Sequence, residues 1–119
     1  MSQGGEEMST EKISLTLRFP TELNEQITSV SKALGFTKTN LIRLSIYEYL
    51  DQDTLPDLNS TLTEFNDFKY RMVLNINQST YQILERQSEA YNLPINKLLV
   101  YSSKRALTYY SKLIDKLGL

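Results

Sequence analysis

The chain has 119 residues, of which 40% are hydrophobic and 23% are charged, and it contains neither cysteine nor histidine. That length suits one small domain or two interlocked half-domains. The two missing residue types exclude disulfides and thiolate metal sites, and they remove the commonest general base and transition-metal ligand. Because the chain also lacks a glycine-rich phosphate loop and a convergent pair of acids, we expect no enzymatic activity and no cofactor.

The net charge of −1 hides an uneven distribution of charged residues. Residues 12–50 carry five basic and three acidic side chains, and residues 69–119 carry eight basic and three acidic ones. The acids concentrate in residues 1–11, which we expect to form a disordered acidic tail, and in residues 51–68, which hold five acids and no base. Because local charge decides what a surface attracts, the two basic segments are compatible with an anionic partner.

No apolar run is long enough to cross a membrane, and the first ten residues are polar and acidic rather than typical of a signal peptide. We therefore expect a cytoplasmic protein with no membrane partner.

The first predicted element is a short strand. Residues 13–19 alternate apolar and polar side chains and stop at Pro20, a pattern that predicts one buried and one exposed face. Ser14, Thr16 and Arg18 share the predicted exposed face. A single short strand is marginal because its backbone groups need a partner strand.

Two helices are predicted next. After Pro20, apolar residues recur at intervals of three and four, which indicates one buried helical stripe. Gly35 is expected to end this helix. Thr37 can cap the following helix through its hydroxyl, and that helix is expected to run to about Leu50.

The same order of elements is predicted again in the second half of the chain. Residues 70–77 read as a strand, and Asn77 or Ser79 can cap a helix after it. Pro94 fits the first turn of the next helix. Between the two halves, leucines at near-helical spacing indicate that the connector includes a short packed helix.

The sequences of the two halves of the chain align at one constant offset without an insertion. Leu15, Leu17 and Phe19 fall on Met72, Leu74 and Ile76, and Gly35 falls on Asn92. Such a repeat indicates two copies of one supersecondary unit. The predicted organisation is a tail (1–11), a first unit (12–50), an acidic connector (51–68), a second unit (69–107) and a C-terminal helical extension (108–119).

The C-terminal extension carries a stripe of apolar residues. Leu107, Tyr110, Ile114 and Leu117 lie on one helical face. The extension either continues the preceding helix or forms another, and its stripe packs either on the chain's own core or against another chain.

Two pairs of sequence runs carry a resemblance to a known family. In the first unit they are Leu17-Arg18-Phe19-Pro20 and Gly35-Phe36-Thr37-Lys38-Thr39-Asn40-Leu41-Ile42. In the second unit they are Leu74-Asn75-Ile76-Asn77 and Asn92-Leu93-Pro94-Ile95-Asn96-Lys97-Leu98-Leu99. This order of polar-faced strand, helix, turn and capped helix resembles the ribbon-helix-helix fold of Arc- and MetJ-like DNA-binding proteins, over about two thirds of the chain.

The resemblance implies a mainly α fold with a short two-stranded antiparallel β-ribbon. In a tandem ribbon-helix-helix protein, the two units of one chain can pair as an intrachain pseudo-dimer. Each unit can instead pair with its equivalent in a second chain. In either arrangement the polar face of the ribbon is expected to enter the major groove of double-stranded DNA, which is wide enough for two strands.

The resemblance also assigns the DNA-contacting residues. The base-reading positions are Ser14, Thr16, Arg18, Arg71, Val73 and Asn75. The phosphate-binding positions are Lys12, Thr37, Lys38, Thr39, Asn40, Lys69, Asn96 and Lys97. Arg18 suits guanine and Asn75 suits adenine, whereas Val73 departs from the polar pattern. Phosphate anchoring is expected to be weaker in the second unit, because Pro94 has no N–H and Ile95 stands where the first unit has a lysine.

On this resemblance we expect a transcriptional regulator, typically a repressor that occupies an operator, with two chains side by side on a longer site. The alternative is an accessory DNA-binding protein in plasmid partition, copy control or relaxosome assembly. An alternative of another class is an antitoxin-like interaction module, in which the connector or residues 108–119 bind a partner protein.

Overall fold

The computed structural model describes residues 12–119, and the predicted acidic tail lies outside the described residues. The elements in chain order are β1 (Lys12–Phe19), α1 (Thr21–Leu34), α2 (Lys38–Tyr49), α3 (Leu58–Leu62), β2 (Tyr70–Asn77), α4 (Gln78–Tyr91) and α5 (Ile95–Leu117). The fold is therefore mainly helical with one two-stranded antiparallel sheet, and this part of the sequence-based expectation is confirmed.

The two strands form an antiparallel ribbon in which Ile13 lies opposite Ile76 and Phe19 lies opposite Tyr70. The alternation predicted from the sequence is present in both strands. The inner face of the ribbon buries Leu17, Phe19, Leu74 and Ile76, and the outer face exposes the polar positions between them. The ribbon thus closes one side of the hydrophobic core and turns its other side to solvent.

Local backbone chemistry fixes the helix boundaries at the predicted positions. Gly35 ends α1 with φ of 77°, and Asn92 ends α4 with φ of 54°, the left-handed conformation that glycine and asparagine tolerate best. The Thr37 hydroxyl caps α2 by accepting a hydrogen bond from the backbone N–H of Asn40 at 3.1 Å. Asn77 caps α4 in the same way.

Helices α2 and α5 pack against each other through the centre of the core. At their contact the hydroxyls of Ser45 and Ser102 lie 2.8 Å apart, and both residues are fully buried. Each hydroxyl also lies within hydrogen-bonding distance of a carbonyl of its own helix, that of Ile42 or Leu99. Two small side chains therefore let the helices approach closely while both hydroxyls stay hydrogen-bonded.

The acidic connector (residues 51–68) is packed on the second half of the chain. It contains the short helix α3, and its residues Leu55, Leu58 and Leu62 are buried. The Tyr101 hydroxyl donates to the carbonyl of Pro56 at 2.7 Å, and the Gln87 side-chain amide donates to the carbonyls of Leu50 and Gln52. These bonds tie α4 and α5 to the connector.

The C-terminal extension continues α5 as one helix of 23 residues. The beginning of its apolar stripe packs on the chain, because Leu107 is buried and the Tyr110 ring meets Phe36 edge-on at 5.9 Å. Burial, followed by the nearby Glu48 carboxylate, raises the pKa of Tyr110 to about 12, so its phenol stays protonated and donates to Glu48. Leu117, at the end of the stripe, is 61% exposed. Within residues 12–119, no helix combines the length and apolarity needed to cross a membrane.

The contact between α2 and α5 gives a stability prediction. Substituting Ser102→Leu inserts a larger side chain into a fully buried site, and such overpacking costs about 1–3 kcal/mol. We expect the free energy of unfolding, measured by urea titration, to fall by that amount. The control Ser102→Ala is expected to lower it by less than about 1 kcal/mol, because Ser45 keeps its bond to Ile42. A leucine variant as stable as the parent would contradict the close packing at this position.

Candidate nucleic-acid interface

The outer face of the ribbon consists of three cross-strand pairs. Its residues are Ser14 opposite Asn75, Thr16 opposite Val73, and Arg18 opposite Arg71. All six side chains are exposed. The pairing register therefore brings all six predicted base-reading positions onto one narrow, solvent-facing strip.

One end of this strip is strongly positive. Arg18 and Arg71 face each other on neighbouring strands, and no carboxylate within residues 12–119 forms an ion pair with either. Like charges directly opposite in a ribbon destabilise it. An anion or a guanine edge placed between the two guanidinium groups would relieve this repulsion.

The other end of the strip is neutral and internally hydrogen-bonded. The Ser14 hydroxyl donates to the side-chain carbonyl oxygen of Asn75 at 2.6 Å. This bond fixes the orientation of the amide and leaves its NH2 group free to donate outward. Between the two ends, Val73 is 55% exposed, which is a large exposure for an apolar side chain on a polar face.

Side chains from α2 and α5, the second helix of each half, form hydrogen bonds with the backbone of the ribbon. The Asn96 side chain accepts from the backbone N–H of Arg18 at 2.7 Å and donates to its carbonyl at 2.8 Å. Arg43 donates through Nε to the carbonyl of Asn75 at 2.9 Å and through Nη1 to Asn40 at 2.8 Å. Asn96 therefore positions the Arg18 segment, and its predicted phosphate contact stays a prediction.

Arg43 is a residue that the sequence reasoning missed. It lies three positions after Asn40 and hence on the same face of the helix start, which is the signal that could have found it. Its guanidinium also lines an open groove of about 410 Å³ beside Lys12 and Asn77.

The predicted phosphate-binding lysines at the helix starts lie against aromatic rings. Lys38 Nζ donates to the side-chain oxygen of Asn24 at 2.7 Å and lies 4.5 Å from the centre of the Tyr70 ring. Lys97 Nζ lies 4.3 Å from the centre of the Phe68 ring. These contacts hold both ammonium groups near the same end of the ribbon, because Tyr70 begins β2 and Phe68 precedes it by two residues.

The remaining predicted phosphate ligands differ in their surroundings. Thr37 is exposed and engaged as the cap of α2, and Thr39 is half-buried beside it. Lys12 and Lys69 are exposed at opposite ends of the ribbon.

Ion pairing separates the charges of the protein into two regions. The acidic connector contributes a carboxylate to each of the ion pairs found within residues 12–119, which are Arg86–Asp51 at 2.9 Å, Arg105–Asp57 at 3.7 Å and Lys104–Glu64 at 3.8 Å. None of these pairs involves a cation of the ribbon or of the first turns of α2 and α5. The ribbon-side cations are Lys12, Arg18, Lys38, Arg43, Lys69, Arg71 and Lys97. The connector thus pairs with cations of α4 and α5, and the ribbon-side cations have no carboxylate partner within residues 12–119.

Comparison of the chain with protein-family models, curated proteins and solved structures found no match. Among residues 12–119, no three acidic side chains converge to hold a metal ion.

The Asn96 bonds give a prediction about the ribbon. In the variant Asn96→Ala the backbone of Arg18 loses both side-chain partners, each worth about 0.5–1.5 kcal/mol. We expect the Arg18 amide to exchange its hydrogen faster, measured by NMR. Thr39→Ala, at the equivalent position of the first unit, is the matched control and is expected to leave that exchange unchanged. Unaltered exchange in the Asn96 variant would show that this clamp does not hold the strand.

Proposed function

We propose that this protein is a cytoplasmic DNA-binding protein that inserts its ribbon into the major groove of double-stranded DNA and represses transcription by occupying an operator. The observation that carries the proposal is the exposed strip of three cross-strand pairs, which has two opposed arginines at one end and hydrogen-bonding side chains at the other. A two-stranded ribbon fits the major groove, where base edges differ most. The neighbouring unpaired cations suit the phosphates on either side.

The proposal includes a tandem ribbon-helix-helix organisation in which the two units of one chain form a pseudo-dimer. Two contacts between equivalent positions of the repeat support it. Ser45 and Ser102 touch in the core, and Thr16 and Val73 face each other in the ribbon. Equivalent positions of a repeat meet each other only on a two-fold axis, so both contacts are consistent with one internal axis. Pairing between chains is the less favoured arrangement, because β1 already has its partner in β2.

The proposed roles follow from hydrogen-bonding geometry. Arg18 and Arg71 each donate two hydrogen bonds, to the O6 and N7 atoms of a guanine, and Asn75 contacts adenine. Thr16 and Val73 offer methyl groups to thymine. Phosphates are held by the ammonium groups of the lysines near the ribbon and by the free amides at the start of α2.

The proposal includes two chains side by side on a longer site. An alternative role, in plasmid partition, copy control or relaxosome assembly, would use the same DNA contacts.

A second candidate function is favoured by the exposed end of α5, where Tyr109 is 52% and Leu117 61% exposed. There, residues 108–119 would bind a partner protein, as in an antitoxin. Loss of partner binding with DNA binding retained, after truncation within this helix, would support that function.

The substitution Arg18→Ala tests base reading. Loss of one paired contact with guanine is expected to weaken binding to the preferred duplex by about 1–3 kcal/mol and to relax the preference at one base position. Fluorescence anisotropy with a set of duplexes that differ at single base pairs measures both effects. Parent-like affinity and preference in the variant would exclude Arg18 as a base-reading residue.

The substitution Lys38→Ala tests phosphate anchoring. We expect binding to weaken on all sequences alike, and the slope of log affinity against log salt to become shallower by about one, because one phosphate contact is lost. Lys116→Ala removes an equal charge from the last turn of α5, about 30 Å of helix away from its start, and is the control expected to keep the parent slope. Equal slopes for parent and Lys38 variant would rule out this contact.

A further inference from the structure

On the outer face of the ribbon, the residues that the internal two-fold axis relates to each other differ in chemistry. The register of the repeat relates Ser14 to Arg71, Thr16 to Val73, and Arg18 to Asn75. In a ribbon made by two identical chains, the two residues so related would be identical, and the protein would read palindromic sites. Here the backbone has two related strands, whereas the side chains presented to a ligand have no such symmetry.

The cations beside the ribbon are distributed with the same polarity. Lys38 and Lys97 lie on the rings of Tyr70 and Phe68, and Lys69 is adjacent in sequence, so all three flank the end that carries the opposed arginines. The opposite end has Lys12 and Arg43. Five of the seven ribbon-side cations therefore lie at one end of the ribbon.

The two ends also differ in how far their hydrogen-bonding groups are already satisfied. At one end, the Ser14 hydroxyl and the Asn75 side chain are hydrogen-bonded to each other at 2.6 Å. Arg18 and Arg71 have side chains with no hydrogen-bond or ion-pair partner within residues 12–119, although the backbone of Arg18 is clamped by Asn96. The arginine end thus has unsatisfied donors aimed outward, and the other end is preorganised.

We propose that one chain reads a non-palindromic DNA site in a single orientation, with two neighbouring base pairs that each contribute a guanine lying under the Arg18–Arg71 end. This inference rests on the proposed function. Opposite side chains in a ribbon start about 5 Å apart, and successive base pairs lie about 3.4 Å apart, so the two guanidinium groups can each reach a guanine of adjacent pairs. The base pairs under the Ser14–Asn75 end then need not contain a guanine at these positions.

Selection of bound duplexes from a random double-stranded pool is the first part of the test. The expected result is a motif that is asymmetric within one protein footprint and contains adjacent guanine-bearing pairs at one end only. Arg71→Ser is expected to lower affinity for that motif about ten- to hundredfold and to abolish the guanine preference at one of the two pairs. Because this substitution also removes a like-charge contact, the melting temperature is expected to stay at or above that of the parent.

Orientation is measured by energy transfer from a dye at one end of the duplex. The chain has no cysteine, so Glu22→Cys and Ser79→Cys provide single labelling sites at exposed, equivalent positions of the two units, beyond opposite ends of the ribbon. We expect high transfer to one label and low transfer to the other. A variant with the outer face exchanged between the strands carries S14R, T16V, R18N, R71S, V73T and N75R, and it is expected to bind the same motif with the two transfer efficiencies interchanged.

The outcomes separate this inference from the proposed function. A palindromic motif, or equal transfer to both labels, would overturn the fixed orientation while leaving sequence-specific binding intact. Recovery of no duplex would overturn both. If the exchanged variant fails to fold, as judged by circular dichroism, the orientation of the parent on its motif and the base preference of Arg71→Ser still decide the inference.

Discussion

The antiparallel pairing of β1 with β2 is the constraint on which the rest of the structure depends. Each strand has eight residues and would leave its backbone groups without partners if it stood alone. Pairing also sets which side chains face outward, because a slip of one residue would turn Leu17 and Leu74 to solvent and bury Arg18. The same hydrogen-bond ladder therefore closes the core and assembles the polar strip proposed to read DNA.

A chain of net charge −1 can present unpaired cations beside its ribbon, because none of the ion pairs within residues 12–119 involves a ribbon-side cation. The connector folds back on α4 and α5, and three of its carboxylates pair with basic residues there. Exposed pairs of this kind contribute little to stability, about 0–1 kcal/mol each. Their main consequence is electrostatic: the connector carboxylates are engaged on α4 and α5, so the seven ribbon-side cations keep a field that can attract phosphate.

Elements governed by local chemistry could be predicted from the sequence, and tertiary contacts could not. Gly35, Asn92 and the Thr37 cap act within a few residues of their own position, so their roles follow from residue type and spacing. The bonds from Asn96 to Arg18 span 78 positions, and their existence depends on how the fifth helix meets the first strand. The bond from Arg43 to the carbonyl of Asn75 spans 32 positions, so only its neighbour on the helix face, Asn40, could be recognised from spacing.

NMR mapping of the protein surface that contacts a duplex decides whether the outer face of the ribbon is the reading face. On titration with a duplex that binds, we expect the largest amide shift changes at the exposed positions of both strands and at the starts of α2 and α5. The Arg18 and Arg71 side-chain N–H signals are expected to move with them. Changes confined to α3 and to the end of α5 beyond residue 108, with the ribbon signals unmoved, would show that the ribbon does not contact the duplex.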